Sequence, residues 1–368
     1  MKKRVVLMEH EPRMMQEMAG VLKSSASFEL LATYRDAESA LGKSSVFRPE
    51  VFLMDVEQEE SLEVLPQFRK IFPNASVLGT MKRWDADKAD HALRGGAEGC
   101  ILKPFRAEDV LDALSLYKRR GAAKMPRIIS FFSPKGRSGR TTLASILAIE
   151  LSRKSGESVA LIDADLQFGD LPMFFDISPE HNVVEAAHDI KLLTPITLEA
   201  YFQQVDNRIW LLGGPLRPEH AELVEAGGLI EVIRMAGNLF RYVLVDLPAG
   251  FNPISIAISE FSDTDFLMTI INSGQEICHM SRSARLFRMW KRYGKSVYSL
   301  FTRVNPCTEE RRQKIAEEYG GTVNYMLPNE YQMTAITGSG RLLKDLPTDS
   351  PLVRSIGGIA EHLISGDG

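Results

Sequence analysis

Short apolar runs alternate with amphipathic stretches along the chain, the pattern of parallel strands covered by helices. Val5–Met8, Phe28–Tyr34, Val51–Met54, Ser76–Gly79 and Gly99–Leu102 predict five strands with helices between them, the strand count of a flavodoxin-like fold. A second series predicts a larger sheet of seven or so strands: Ile128–Phe132, Val159–Ile162, Ile209–Leu212, Tyr242–Val245, Phe266–Ile271, Val297–Phe301 and Val323–Met326. No internal repeat or low-complexity tract interrupts either series. Between them, from Tyr117 to Arg127, the apolar periodicity lapses into basic and small residues with a proline near the end. This predicts a first domain over residues 1–120, a linker over 121–127 and a second domain over 128–368. The five positive charges of the connecting stretch read as a solvated linker rather than as a contact for nucleic acid or lipid headgroups.

At 368 residues the chain is too long for one typical core. Its 44% hydrophobic and 25% charged residues fit globular domains and argue against long disorder. A formal net charge of -4 gives no whole-chain attraction to DNA or to acidic membrane. Cys100, Cys278 and Cys307 lack the short paired spacings of zinc or redox motifs. Met1-Lys2-Lys3-Arg4 is basic, but the apolar run behind it stops at Glu9, too short for a signal-peptide core. With no later run of membrane-spanning length, the expectation is a cytoplasmic protein whose membrane association is peripheral only.

Chemistry-bearing residues fall just past predicted strand ends, where an open parallel sheet forms its binding crevice. In the first domain these are Asp55 after strand three, Thr80 after strand four and Lys103-Pro104 after strand five. The Asp, Thr, Lys-Pro order resembles the receiver domain of response regulators over roughly residues 1–120. The resemblance implies that Asp55 accepts a phosphoryl group, Thr80 follows it and Lys103 neutralises it. Strand one departs from that family, ending in Glu9-His10-Glu11-Pro12 where Asp-Asp-Glu-Pro is usual. Magnesium requires short, near-octahedral carboxylate contacts; His10 is a poor replacement and Glu9 is a methylene too long. Val56-Glu57-Gln58 weakens the match further. Two readings stay open, a phosphorylated Asp55 or a pseudo-receiver used for docking or dimerisation in which Asp55 and Lys103 survive as an ion pair.

In the second domain, strand Ile128–Phe132 runs into Ser133-Pro134-Lys135-Gly136-Arg137-Ser138-Gly139-Arg140-Thr141-Thr142, and Leu143, Ile146, Leu147 and Leu151 mark a helical face. Strand, loop and helix in that order form a phosphate cradle, with backbone N–H groups and the helix dipole around the β-phosphate and Thr141 offered to magnesium. The loop resembles the deviant Walker A motif of the MinD/ParA family, usually Lys-Gly-Gly-x-Gly-Lys-Thr-Thr/Ser; Lys135, Gly136, Gly139, Thr141 and Thr142 match it. The resemblance implies ATP with Mg2+ as cofactors, Thr142 near the α-phosphate, and Lys135 reaching a partner's nucleotide in an ATP-sandwich homodimer. Pro134 replaces the common preceding glycine, Arg137 the second glycine and Arg140 the P-loop lysine. Arginine keeps the charge but directs its donors differently, and because a misplacement of about 1 Å can cost about a hundredfold in rate, binding survives the exchange better than hydrolysis.

The remaining parts follow in family order. Asp163-Ala164-Asp165 resembles the first switch, which implies that Asp163 supports the loop and magnesium shell while Asp165 positions the attacking water. Asp246 with Leu247-Pro248-Ala249-Gly250 resembles Walker B and the second switch, and Asp246 would hold magnesium through water. Asn305 matches the asparagine that reads the adenine edge; strand-end Asp and Asn are also common helix caps.

A receiver-like domain ahead of a MinD/ParA-type ATPase resembles the TadZ/CpaE group, whose members place the secretion machinery of type IVb (Flp or Tad) pili at a cell pole. The stretch Leu216–Val224 resembles one common in that group and is also an ordinary helix start. The tail from Val353 to Ile364 is not basic and holds two glycines, so it is expected to pack on its domain rather than enter lipid. Met280–Trp290 reads as core or dimer packing before partner binding. The leading expectation is a nucleotide-gated scaffold for pilus assembly proteins, peripheral to the inner membrane at a pole, with weak or absent hydrolysis. The alternatives are a ParA-type partitioning ATPase on DNA cargo, disfavoured by the absence of a strong DNA signal, and a phosphorylation-controlled regulator.

Overall fold

A computed structural model of the protein describes residues 2–120, 125–271, 274–290 and 295–366. It divides into two compact units, Met1–Met125 with Thr194–Ile196, and Pro126–Leu193 with Thr197–Gly368. Most of the expected linker, residues 121–124, lies outside the described residues.

The first unit alternates strands β1 (Lys3–Met8), β2 (Phe28–Tyr34), β3 (Val51–Asp55), β4 (Ser76–Met81) and β5 (Gly99–Leu102) with helices α1 (Pro12–Ser24), α2 (Ala37–Lys43), α3 (Glu59–Ile71), α4 (Ala86–Arg94) and α5 (Ala107–Arg120). The strands are parallel in the order β2-β1-β3-β4-β5. A parallel sheet covered on both faces needs apolar residues at successive positions, and all of β3 is buried. Phe68 of α3 closes one face, edge-on to Phe52 at 4.9 Å, within the range of favourable aromatic pairs.

Helix α5 runs to Arg120, through the start of the stretch whose apolar periodicity lapses. Tyr117 explains the extension: it is fully buried, and its hydroxyl donates to the Cys100 carbonyl at 2.8 Å. The ring lies directly over Gly99, where an added Cβ would stand 2.2 Å from Cζ.

Among its described residues the second unit has eight strands: β6 (Arg127–Phe132), β7 (Val159–Asp163), β8 (Gln203–Asp206), β9 (Ile209–Leu212), β10 (Tyr242–Asp246), β11 (Thr264–Ile270), β12 (Ser296–Val304) and β13 (Tyr325–Pro328). Their order is β13-β12-β11-β6-β10-β7-β9-β8, parallel except for antiparallel β8 at one edge. Sequence periodicity misses β8 because its residues are polar and mostly exposed. Strand β13 begins two residues later than expected, at Tyr325, because the Asn324 side chain accepts the Ser299 N–H at 2.9 Å where a ladder carbonyl would otherwise stand.

Helix α6 (Arg140–Ser155) is buried nearly all round. One side lies on the sheet, and the C-terminal helix Pro351–Ser365 covers another with Leu352, Val353, Ile356, Ile359, Ala360 and Leu363. The tail packs on its own unit, as its composition suggests. Within the Met280–Trp290 stretch, Met280 and Phe287 enter the core while Leu286 and Met289 stay exposed.

The Gly99 contact carries a prediction. Gly99→Ala forces the Tyr117 ring aside and should destabilise the first unit by about 1–3 kcal/mol. Chemical denaturation followed through first-unit signals measures it.

Candidate functional site

In the first unit Glu9, Asp55 and Lys103 converge at the carboxyl ends of β1, β3 and β5, with Thr80 near the end of β4 as the register partner of Asp55. The wholly buried Lys103 ammonium lies 2.7 Å from Glu9 Oε2 and 2.8 Å from Asp55 Oδ1. Glu9 Oε1 accepts the Glu11 N–H at 3.0 Å, Asp55 Oδ1 also accepts the Glu57 N–H at 3.0 Å, and Asp55 Oδ2 meets His10 Nδ1 at 3.0 Å. Every oxygen of both carboxylates therefore has a protein partner. Burial, the largest influence, raises the Glu9 carboxyl above its ordinary range. At Asp55 burial also pushes upward, but the hydrogen bonds from Lys103 and Glu57, with the Lys103 charge, outweigh it and leave the carboxyl below its usual value. The Thr80 hydroxyl is buried without a hydrogen-bond partner among the described residues.

This donor set does not fit magnesium. A hard dication needs several oxygens free to face it, whereas here a lysine ammonium faces both carboxylates and a histidine takes the remaining Asp55 oxygen. The Asp55–Lys103 ion pair that the pseudo-receiver reading expects is present.

In the second unit the loop Ser133–Gly139 joins β6 to α6. Gly139 caps the helix at φ 83°, a left-handed conformation natural to glycine. Among the bonds that hold the loop, Ser133 Oγ donates to the Lys135 carbonyl at 2.6 Å, Gly250 N–H to the Ser133 carbonyl at 2.9 Å, and Thr302 Oγ1 to the Ser138 carbonyl at 2.8 Å. An added Cβ at Gly136 or Gly139 would meet nothing within 4 Å, so the loop faces open space. That space is a cleft of about 990 Å³ lined by Gly136 through Thr142, Asp165 and Asn305. Lys135 is exposed and does not belong to the lining.

Asp163 and Asp246 are buried behind the loop as register partners on β7 and β10. The Asp163 carboxylate accepts the N–H groups of Asp165 and Leu171, each at 3.2 Å, and so shapes the segment that carries Asp165. Gly169 closes against it; a Cβ there would stand 2.3 Å from Oδ2. Asp246 Oδ2 accepts the Thr141 hydroxyl at 2.5 Å, while Oδ1 is buried with no hydrogen-bond partner among the described residues. Burial pushes the Asp246 carboxyl up to about 6 against the opposing Arg140 charge and Thr141 bond. Burial and then the Asp246 charge push Asp163 well above its ordinary range. Two carboxylates short of positive charge, beside a hydroxyl and an open amide-lined loop, are a donor set that fits phosphate with magnesium. Thr141 and Asp246 would hold the metal, and the loop amides the phosphate.

The substituted positions behave differently from one another. Arg140 is buried, and its guanidinium donates to the carbonyl of Leu247, the residue after Asp246. Arg137 is exposed with φ 62°. It keeps the backbone a glycine would adopt, at a cost of roughly 1 kcal/mol. Sequence reasoning missed Arg303, which lines the cleft with φ 54°; its place two residues before Asn305 was the available signal. It also missed Tyr331, 80% exposed on the same cleft, which no motif marks. Pro218–Leu223, within the stretch compared with the pilus group, forms a 3-10 helix.

No family model matches the sequence. An uncharacterized ATP-binding protein of Methanocaldococcus jannaschii is 25% identical over 242 residues, 64% of this chain and 87% of that protein. Chemotaxis protein CheY of Thermotoga maritima is 25% identical over 117 residues, 31% of this chain and 97% of CheY. Among solved structures, a ParA family ATPase from Chlorobium tepidum superposes with a TM-score of 0.59 at 20% identity, covering 65% of this chain and 99% of that one. The septum site-determining protein MinD from Pyrococcus horikoshii, complexed with Mg-ADP, gives 0.56 at 20% identity over 66% and 98%. The chain thus combines a CheY-like receiver fold with the P-loop fold of the ParA and MinD ATPases. Among the described residues no helix is long and apolar enough to cross a membrane.

The buried lysine of the first unit gives a direct test. Lys103→Met leaves Glu9 and Asp55 without their cation and should destabilise that unit by about 3–5 kcal/mol. Adding Glu9→Gln and Asp55→Asn should recover much of the loss in denaturant melts. Acetyl phosphate with magnesium should leave the intact mass of the wild-type chain unchanged.

Proposed function

We propose that the second unit binds ATP with Mg2+, closes into a homodimer across the nucleotide through Lys135, and serves as a scaffold with weak or absent hydrolysis. The observation that carries this reading is the open loop beside Thr141 and the unpartnered Asp246 oxygen, a preformed place for a metal-bound phosphate. The exposure of Lys135, outside the cleft lining, supports a role toward a second copy. Asp165 and Asn305 both line the cleft, which supports their reading as the water-positioning carboxylate and the adenine contact. Arg140 supports slow turnover. Its guanidinium is committed to the Leu247 carbonyl, and charge drawn away from the moving phosphoryl group lowers the rate steeply.

The receiver fold ahead of this unit supports placing the chain in the TadZ/CpaE group, with type IVb pilus secretion proteins as partners and a cytoplasmic, polar site of action peripheral to the inner membrane. In cells with such a system, tagged protein should gather at a pole and its loss should abolish piliation. Uniform spread with normal pili would end that assignment.

Two measurements test the biochemistry. Wild-type protein should bind Mg-ATP by calorimetry and double in mass with it in light scattering, while Lys135→Ala binds and stays monomeric. A wild-type chain that remains monomeric at saturating ATP removes the sandwich. Arg140→Lys should release the Leu247 carbonyl and raise ATP turnover by about tenfold or more, equivalent to ~1.4 kcal/mol of barrier; steady-state phosphate release measures it.

A further inference from the structure

We infer that Arg137 and Arg303 form a guanidinium pair that senses the charge of a bound nucleotide's phosphate chain and so distinguishes triphosphate from diphosphate. The inference rests on the nucleotide-binding reading above and assigns the cleft a discriminating element.

Four observations converge on it. Both arginines line the same cleft. Their backbones flank one hydrogen bond, from the Thr302 hydroxyl to the Ser138 carbonyl at 2.8 Å, with Arg137 preceding Ser138 and Arg303 following Thr302. The two side chains therefore start from a single stitched lip. Both are exposed, and among the described residues no hydrogen bond or ion pair holds either one, although the carboxylates of Asp165, Asp170 and Glu330 line the cleft too. Both also occupy left-handed backbone, φ 62° and 54°, where glycine is at ease and a side chain with a Cβ is uncommon. Of the four non-glycine residues with positive φ among the described residues, these are the two on the cleft.

Arg140 provides the contrast, being buried and already bonded to a carbonyl. Ser138, between the two arms, lines the cleft and is only 2% exposed, and its buried hydroxyl has no hydrogen-bond partner among the described residues. A lip with two uncommitted planar cations and an unpartnered buried hydroxyl is suited to phosphate oxygens, which guanidinium engages through paired donors. Each added phosphoryl group brings more charge and more acceptor oxygens, so the attraction grows from diphosphate to triphosphate.

The test uses glycine, because glycine removes the guanidinium and suits the backbone. Full-length wild type, Arg137→Gly, Arg303→Gly and the double variant are titrated with Mg-ATP and with Mg-ADP by calorimetry, alongside thermal melts. Each single variant should hold or raise its melting temperature while its ATP-to-ADP affinity ratio falls about tenfold, ~1.4 kcal/mol. Arg137→Lys and Arg303→Lys, which keep the charge, should retain part of the preference. A ratio unchanged to within about threefold in both glycine variants overturns the inference and leaves nucleotide binding standing. Equal losses for ATP and ADP also overturn it, since the arms would then not sense the terminal phosphate. A wild type that binds neither nucleotide removes the underlying reading as well.

Discussion

The bond from Thr141 to Asp246 is the constraint on which the second unit's chemistry turns. It joins the first turn of α6 to the end of β10 at 2.5 Å, fixing the loop between β6 and α6 against the strand that carries the buried acid. Because β10 lies between β6 and β7, the same position sets Asp246 beside Asp163, and Asp163 in turn holds the N–H groups of Asp165 and Leu171. Loop, acid pair and switch segment thus form one chain of contacts. Its weak point electrostatically is the carboxyl pair, pushed toward the neutral form by burial. Positive charge delivered there stabilises the ionised pair, which is why the arrangement suits a metal-bound phosphate.

The two units solve the same problem in opposite ways. Parallel sheets gather polar residues at the carboxyl ends of their strands, and those residues need partners. In the first unit the partner is internal: Lys103 sits between Glu9 and Asp55, and His10 takes the remaining Asp55 oxygen. In the second, one Asp246 oxygen and the Ser138 hydroxyl stay unpartnered among the described residues while the loop glycines face open space. One site is satisfied by the chain itself; the other keeps polar groups that the described residues do not satisfy.

Much of this was legible in the residues, and what was not has physical causes. Both sheets could be read because buried parallel strands demand unbroken apolar runs, and β5 and β9 match their expected limits. Strand β8 was invisible because an exposed antiparallel edge imposes no such demand. The extension of α5 to Arg120 could not be read from periodicity, since it depends on one ring, Tyr117, closing over Gly99. Residues at strand ends were singled out by order, spacing and family resemblance, from Asp55 and Lys103 to Asp246 and Asn305, and the structure pairs Asp55 with Lys103 and sets Asn305 on the cleft lining. Where side chains point was hidden: nothing in the sequence says that Lys103 reaches both Glu9 and Asp55, that Arg140 turns to Leu247, or that Arg303 joins the cleft from left-handed backbone.

The arginine substitutions are more informative together than singly. A lysine at position 140 would carry a compact charge on a flexible stem; arginine carries a planar fork that favours fixed carbonyl partners, and it has found one beside Asp246. At position 137, where the motif that the loop resembles has glycine, arginine occupies left-handed backbone and adds a cation to the cleft lining. On the nucleotide-binding reading, one exchange withdraws charge from the place where a phosphoryl group would move and the other adds charge where a phosphate chain would rest. Binding a phosphate needs net attraction, whereas hydrolysis needs charge placed to within about an ångström of the reacting group. A site altered in this pair of ways gains in the first requirement while losing in the second, which is the balance expected of a protein that holds its nucleotide to fix a conformation.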